Sequence, residues 1–390
     1  WSQAQSGFWY AGGGEMSEEG YITLHPSNWL YNAGVVGFWG CLDREDYLNN
    51  PVENFDDKYK IQCDGTIAIK REVFDKIKIY ENYFENGKVV NLKGKNPYYP
   101  NFIDVKGNQK NIFKAFVTAI ADSENTINFE CDSCRDGILI NKDRLNNGID
   151  NSQKENFFSK ISKLNMAHNK LLGPSEKFPN SYWNLDAGLK ICHFCTFLLI
   201  HHHLAFTRLS DGSEIFINTP SFKLMYELNK IVRELFGKTE AGSSQKREIL
   251  AMSVIEYARR LQITLGQWNV MNIEIVIKHR DVIDFYALPY ETARLLDDRT
   301  IAAILSDIGE FSVLNCILDG FYDKLLFFAH DLIRISIKEK NKADNSLVNE
   351  YLKREVNRYN LSLTAQKILR LYANIIDRRK KCQSQMRQII

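Results

Sequence analysis

"CDSC" at residues 131–134 and "CHFC" at residues 192–195 decide how this chain is read. Both are Cys-x-x-Cys pairs, and residues 135–191 separate them. A thioredoxin-like redox site needs only one such pair, placed where a helix starts after a strand. A disulfide framework goes with a secretory signal, and none is visible. Two pairs fit tetrahedral zinc. Each makes a tight knuckle with both thiolates on one side, and two knuckles close a four-sulfur shell. The residues therefore predict one structural Zn²⁺ site shared by Cys131, Cys134, Cys192 and Cys195, with independent thiols as the alternative. A closed shell leaves no position for water or substrate, so no chemistry is expected at it.

The sequence around each knuckle extends this reading. In "INFECDSCRDGILI" (127–140), the turn formers Asp132, Ser133 and Gly137 lie between strand-like residues. In "LKICHFCTFLLIHHHLAF" (189–206), the flanks are again apolar and read as strand. Two strand–knuckle–strand units make a zinc-ribbon-like site, with the long separation filled by an insertion. His193, inside the second knuckle, is expected to face solvent. His201, His202 and His203 would alternate along a strand and split between its faces, which argues against a metal tract. Cys41, Cys63, Cys316 and Cys382 stand singly and read as small buried hydrophobes.

Composition sets the outer bounds. The chain has 390 residues, 44% hydrophobic and 25% charged, which suits an ordinary globular protein of two or three domains. A net charge of +2 neither favours nor excludes a polyanionic partner, so the local distribution of charge must decide. The opening "WSQAQSGFWYAGGGE" (1–15) has no basic stretch followed by an apolar one. It reads as a tag or other non-native leader, with Met16 as a plausible native start. No run of 18 apolar residues occurs, so no membrane partner is expected and a cytoplasmic location is the default.

Periodicity predicts an α+β fold: an irregular mixed domain over 16–240 carrying the four-cysteine site, and a mainly helical bundle over 241–390. A helix is expected in "HPSNWLYNAGVVGFWGCL" (25–42) and a strand in "DGTIAIKREVF" (64–74). A hairpin is expected around Asp211-Gly212, then a helix over 222–236 with Leu224, Leu228, Ile231, Val232 and Leu235 on one stripe. The polar "GKTEAGSSQ" (237–245) marks the boundary. Beyond it come a helix, two short strands around His279-Arg280, and apolar helical stripes to the end.

Two stretches are strongly basic. Residues 88–114 hold six lysines against one aspartate, with Tyr98, Tyr99 and Phe102 among them. Lysines and aromatics in an irregular loop suit a surface that grips a backbone and stacks bases. Lys93, Lys95, Lys106, Asn108, Gln109 and Lys110 are the candidate DNA contacts there, against the plainer reading of a solvated loop. Residues 351–390 hold ten Lys or Arg against two acids, densest at Arg378, Arg379, Lys380 and Lys381. A helix end rich in cations also suits the macrodipole, but ten exceed that need. No H-E-x-x-H, G-x-S-x-G or G-x-G-x-x-G after a strand is present. Asp297, Asp298 and Asp307 are imaginable as nuclease ligands but read as solvated helix residues. The chain is therefore not expected to be an enzyme.

Taken together, "LYNAGVVGF", "CDSC", "CHFC", the aromatic "EIFINTPSF" and the helical last third resemble the CXXC–CXXC family, large subunits of the type I-B CRISPR Cascade surveillance complex. The resemblance runs from about Met16 to Ile390. It implies a non-catalytic subunit that recognises the protospacer-adjacent motif on duplex DNA and aids R-loop formation. Guide RNA, target DNA and the backbone and guide 5′-end subunits are its implied partners, with a helicase-nuclease recruited transiently. It also implies that the helical part follows the displaced strand, and an internal start at Met252 or Met271 would release that part alone. The alternative is a stand-alone zinc-containing regulator that binds nucleic acid by itself.

Overall fold

The computed structural model describes residues 20–42, 58–76, 109–121, 123–125, 131–134, 137–140, 145, 150–161, 163–164, 189–236, 246–261, 273–279, 282–337 and 342–389. It is an α+β protein of helices and antiparallel sheets. The residues group into two units, Trp1–Leu204 and Ala205–Ile390.

The first unit runs β1 (Tyr21–Leu24), α1 (Trp29–Leu42), β2 (Tyr59–Ile61), β3 (Ile67–Lys70), α2 (Val73–Lys76), α3 (Gln109–Ala121), β4 (Glu124–Asn125) and β5 (Ile138–Leu139). It continues with α4 (Asn151–Ile161), β6 (Lys163–Leu164), β7 (Leu189–Lys190), α5 (His193–Leu199) and α6 (His202–Ala205). Strands β1, β3 and β2 form an antiparallel sheet in that order. Asp64-Gly65 makes the turn between β2 and β3, where Gly65 has φ 91° and Asp64 Oδ1 accepts from the Thr66 N–H at 2.9 Å.

Helix α1 starts where the sequence predicts. Asn28 Oδ1 accepts from the Tyr31 N–H at 2.9 Å, satisfying one of the orphan donors of the first turn. The helix is apolar all round and is correspondingly buried from Leu30 to Trp39. Two of its three glycines, Gly34 and Gly37, let a second backbone approach. A Cβ on Gly34 would lie 2.7 Å from the Leu198 carbonyl oxygen, and one on Gly37 would lie 2.1 Å from that of His201. An aromatic layer fills the rest of the interface. Phe38 meets Phe197 edge-on at 5.0 Å, and Phe74 meets Phe194 and Phe197 at 5.6 and 5.7 Å.

The second unit begins with β8 (Thr207–Arg208) and β9 (Glu214–Asn218), followed by α7 (Phe222–Phe236), α8 (Lys246–Leu261), β10 (Glu274–His279) and β11 (Val282–Ala287). The helical remainder is α9 (Tyr290–Leu296), α10 (Arg299–Ile308), α11 (Phe311–Leu318), α12 (Asp323–Ile337), α13 (Lys342–Tyr351), α14 (Glu355–Tyr359) and α15 (Leu361–Ile389). The antiparallel sheet has the order β11-β10-β9-β8. The units divide ahead of the polar stretch 237–245. Strand β9, before that stretch, pairs with β10, after it, through Ile217↔Ile275 and Ile215↔Ile277. These four isoleucines share one face and pack into a core with Leu224, Leu228 and Val232 of α7 and Ile249, Val254 and Ile255 of α8.

Among the described residues, strand β8 pairs only with Ile215 and Glu214, so the edge of β9 opens beyond it. Asn229 of α7 fills the gap. Its Oδ1 accepts from the Ile217 N–H and its Nδ2 donates to the Ile217 carbonyl, each at 2.8 Å. A buried amide thus stands in for a missing strand residue, and both backbone groups are satisfied.

Helix α10 has Asp298 as its N-cap, accepting from Thr300 and Ile301 N–H, and ends on Gly309 at φ 62°. The buried Glu310 carboxylate accepts from Lys353 N–H, Arg354 N–H and Asn357 Nδ2 at 2.8, 2.9 and 2.8 Å. It places a negative charge where α14 begins, the end of a helix that favours one. Helix α15 packs along α12, with Leu361, Ala365, Ile368, Leu371 and Ile375 buried at helical spacing.

Candidate metal centre

The four cysteines of the two knuckles come together in the first unit. Their Sγ atoms all lie within 4.8 Å of one another, and Cys134 Sγ is 3.8 Å from Cys192 Sγ. Four thiolates arranged tetrahedrally at 2.3 Å from an ion would be about 3.8 Å apart, so the donor set fits a soft four-coordinate metal ion.

The first knuckle lies between β4 and β5, paired through Glu124↔Leu139 and Asn125↔Ile138, as the strand–knuckle–strand pattern predicts. Its turn is tied to the start of α1. Ser27 Oγ donates to the Ser133 carbonyl at 2.6 Å, and Asn28 Nδ2 donates to Ser133 Oγ at 3.3 Å. Asn28 therefore caps α1 with its oxygen and holds the knuckle with its nitrogen.

The second knuckle differs from expectation. Strand β7 leads into it, but "HFCTFLL" is helix α5, not strand. A short apolar run is ambiguous between buried strand and buried helix, and Cys192 resolves it here. Cys192 is the N-cap, and its Sγ accepts from the Cys195 N–H at 3.3 Å. A sulfur does the work usually done by a serine or aspartate oxygen. The two knuckles are also joined directly. Cys131 Sγ accepts from the Ser133 N–H at 3.4 Å and from the Cys192 N–H at 3.3 Å.

Burial and crowding shape the electrostatics. Hydrogen bonds from its sulfur neighbours, Cys134 first, hold the Cys131 thiol far below the ordinary range. Interaction with Cys131 drives Cys134 upward, and burial pushes Cys195 up. The opposite directions at Cys131 and Cys134 reflect the cost of placing several negative charges side by side. A cation among them would relieve this repulsion and release the remaining protons. The fully buried Tyr31 phenol is also raised, by burial first and then by the four cysteines.

His193 is not on the surface. It is buried, its ring lies 4.8 Å from that of Phe158, and its Nδ1 accepts from the Ile140 N–H at 2.9 Å. The apolar flank that reads as a strand face is a helix packed inside the unit, which carries His193 inward. The triple histidine is likewise not a strand. His201 and His202 are buried where α5 passes into α6, and their Nδ1–H groups donate to Phe197 and Leu199 carbonyls at 2.9 and 2.7 Å. Cys41 is buried, Cys316 half-buried, and Cys63 exposed, against its reading as a buried hydrophobe.

The expected DNA contacts fall only in part on described residues. Lys93, Lys95, Lys106 and Asn108 lie outside the described residues. Gln109 and Lys110, read from sequence as loop, open helix α3, whose buried Ile112, Phe113, Phe116, Val117 and Ile120 give it a helical stripe. On α15, Arg378 Nε lies 3.6 Å from Asp298 Oδ2, and the Arg379 guanidinium sits 4.8 Å over the Tyr322 ring. Lys380 is exposed, and Lys381 lies on the same helix.

The three aspartates do not form a metal site. Asp297 is buried rather than solvated; it ends α9, its N–H donating to the Ala293 carbonyl. Asp298 and Asp307 sit at opposite ends of α10, and Asp307 pairs with Lys367 at 2.8 Å. Among the described residues, the four cysteines are the cluster of potential ligands. No helix among them is long and apolar enough to cross a membrane.

Sequence reasoning missed Ser27, Asn28, His193 and the glycine pair as parts of this centre. Gly34-x-x-Gly37 in an apolar helix was the available signal, because such spacing lets a second backbone come close. Comparison with protein-family models, characterised proteins and solved structures returned no match.

Proposed function

We propose that this chain is a non-catalytic, nucleic-acid-binding large subunit of an RNA-guided Cascade complex, the role implied by its resemblance to the CXXC–CXXC family. In this reading it acts in the cytoplasm, recognises the protospacer-adjacent motif on duplex DNA and aids R-loop formation. It works beside guide RNA and the other subunits and helps recruit a helicase-nuclease. Base pairing reads the target, while protein reads the short motif and the backbone.

The observation that carries the proposal is the convergence of Cys131, Cys134, Cys192 and Cys195 into one cluster. The resemblance rests on this paired motif, and independent thiols had no reason to meet. We take the ion to be Zn²⁺ in a structural role. Four sulfurs saturate a tetrahedral ion, which then joins β4–β5 to α5 and performs no reaction. The basic end of α15 supports polyanion contact through Lys380 and Lys381, while Arg378 and Arg379 also serve the protein's own packing.

The test is co-purification of the chain with the products of its neighbouring genes, followed by metal and RNA analysis. The expected result is a ribonucleoprotein holding about one zinc per chain. A free chain that shifts DNA without RNA or partners would instead favour the stand-alone regulator. Magnesium-dependent DNA cleavage by the purified chain would overturn the non-catalytic reading. Within the complex, Lys106→Ala with Lys110→Ala should weaken DNA binding and flatten its salt dependence, and an unchanged slope removes that segment from the interface.

A further inference from the structure

The four sulfurs are not equally reachable. Cys131, Cys192 and Cys195 are each 0% exposed, whereas Cys134 is partly open to solvent. Cys134 also lies 3.8 Å from Cys192, across the two knuckles rather than within one. Cys131 has its sulfur engaged by two backbone N–H groups, from Ser133 and Cys192, which draw electron density from it.

From this asymmetry we infer that the metal centre is an oxidation-sensitive clasp: a hydroperoxide enters at Cys134, a Cys134–Cys192 disulfide forms, and the metal is released. The inference rests on the metal-site reading above. In the first step Cys134, its proton already released by the bound cation, attacks one peroxide oxygen through sulfur, the O–O bond breaks, and hydroxide leaves, giving a sulfenic acid. In the second, the Cys192 thiolate attacks that sulfur, the S–O bond breaks, and a second hydroxide leaves. Two electrons pass from the two thiolates to the peroxide. Two of the four donors are then gone, too few to retain a structural ion. The new bond joins the same two knuckles that the metal had joined. The first unit keeps its closure, and a thiol reductant with fresh metal reverses the change.

The experiment uses the full chain with the exposed Cys63 replaced (Cys63→Ser), assayed for zinc before any treatment. Absence of bound zinc at that stage overturns the metal reading and this inference together. With zinc present, hydrogen peroxide is added while a chromogenic chelator reports release, and peptides are mapped without reduction. The expected result is release of about one zinc per chain with a Cys134–Cys192 cross-link, reversed by dithiothreitol and zinc. Zinc retained under peroxide, or release with a Cys131–Cys134 or Cys192–Cys195 bond, overturns this inference and leaves the metal reading intact. Cys134→His keeps a ligand but removes the entry thiol, and it should slow release at least about tenfold. If that variant fails to hold zinc, the peptide map of the parent decides.

Discussion

The backbone N–H of Ile140 donates to Nδ1 of His193 at 2.9 Å, across 53 positions of sequence. The strand that follows the first knuckle is thereby bonded to the first residue of the helix that starts at the second. Because Nδ1 accepts, the ring proton sits on Nε2. The histidine braces the centre without ligating it. His193→Ala should leave metal content unchanged while lowering stability by about 2–4 kcal/mol, through the lost contact with Phe158 and the unsatisfied Ile140 donor. Metal analysis beside urea unfolding checks this, and loss of metal from the variant would make His193 part of the donor set.

The glycines of α1 give a graded experiment. Gly37→Ala forces a methyl to 2.1 Å from the His201 carbonyl oxygen, and Gly34→Ala forces one to 2.7 Å from that of Leu198. Both neighbours are backbone, so the helices must separate. Gly40→Ala meets nothing within 4 Å. Gly37→Ala should cost about 3 kcal/mol or more, Gly34→Ala somewhat less, and Gly40→Ala should be neutral or stabilising by up to about 1 kcal/mol. Thermal unfolding of the three variants reads the order, and equal effects would mean α1 is not held against α5 as described.

Asn229→Leu removes the amide that completes β9 and leaves the Ile217 N–H and C=O buried without it. The expected loss is about 2–5 kcal/mol, more than the added apolar surface returns. Hydrogen exchange should show the Ile217 amide losing protection before its neighbours in β10. Unchanged protection would mean that another group satisfies that edge.

Acid should destabilise the first unit through His201 and His202. Burial, first among the causes, lowers His201 to about 3 and His202 to about 4. Unfolded histidines take up protons near 6.5. Between these values the unfolded chain binds more protons than the folded one, so stability rises with pH. The contribution is complete above about 6.5 and is lost as pH falls toward 4. Melting temperature followed from pH 7.5 to 4.5 in both His201→Gln and the parent should show a shallower slope in the variant. Identical slopes would place the acid sensitivity elsewhere, and metal release is followed separately with a chelator.

Much of the second unit is legible because its signals are local. Asp211-Gly212 turns the hairpin, and Leu224, Leu228, Ile231 and Val232 mark the buried stripe of α7. The pairing of the knuckles is legible too, since four thiols at Cys-x-x-Cys spacing have few other uses. What stays hidden depends on partners far along the chain. Nothing in "CHFC" shows that Cys192 caps a helix, or that Ile140 waits for His193. Asn229 reads as one polar residue on an amphipathic helix until β8 is seen to stop short. The unit boundary is hidden likewise, because a polar stretch looks like a divide whether or not strands pair across it.

The cap at Cys192 also sets an angle. Cys192 and Cys195 pin the first turn of α5, and each later residue is advanced by about 100° around the axis. The carbonyls of Leu198 and His201, which lie against Gly34 and Gly37, therefore take their phase from the sulfurs. A single residue inserted between Cys195 and Leu198 would rotate those oxygens off the smooth track on α1 while leaving every ligand in place. The cluster is the index mark from which that helix is read.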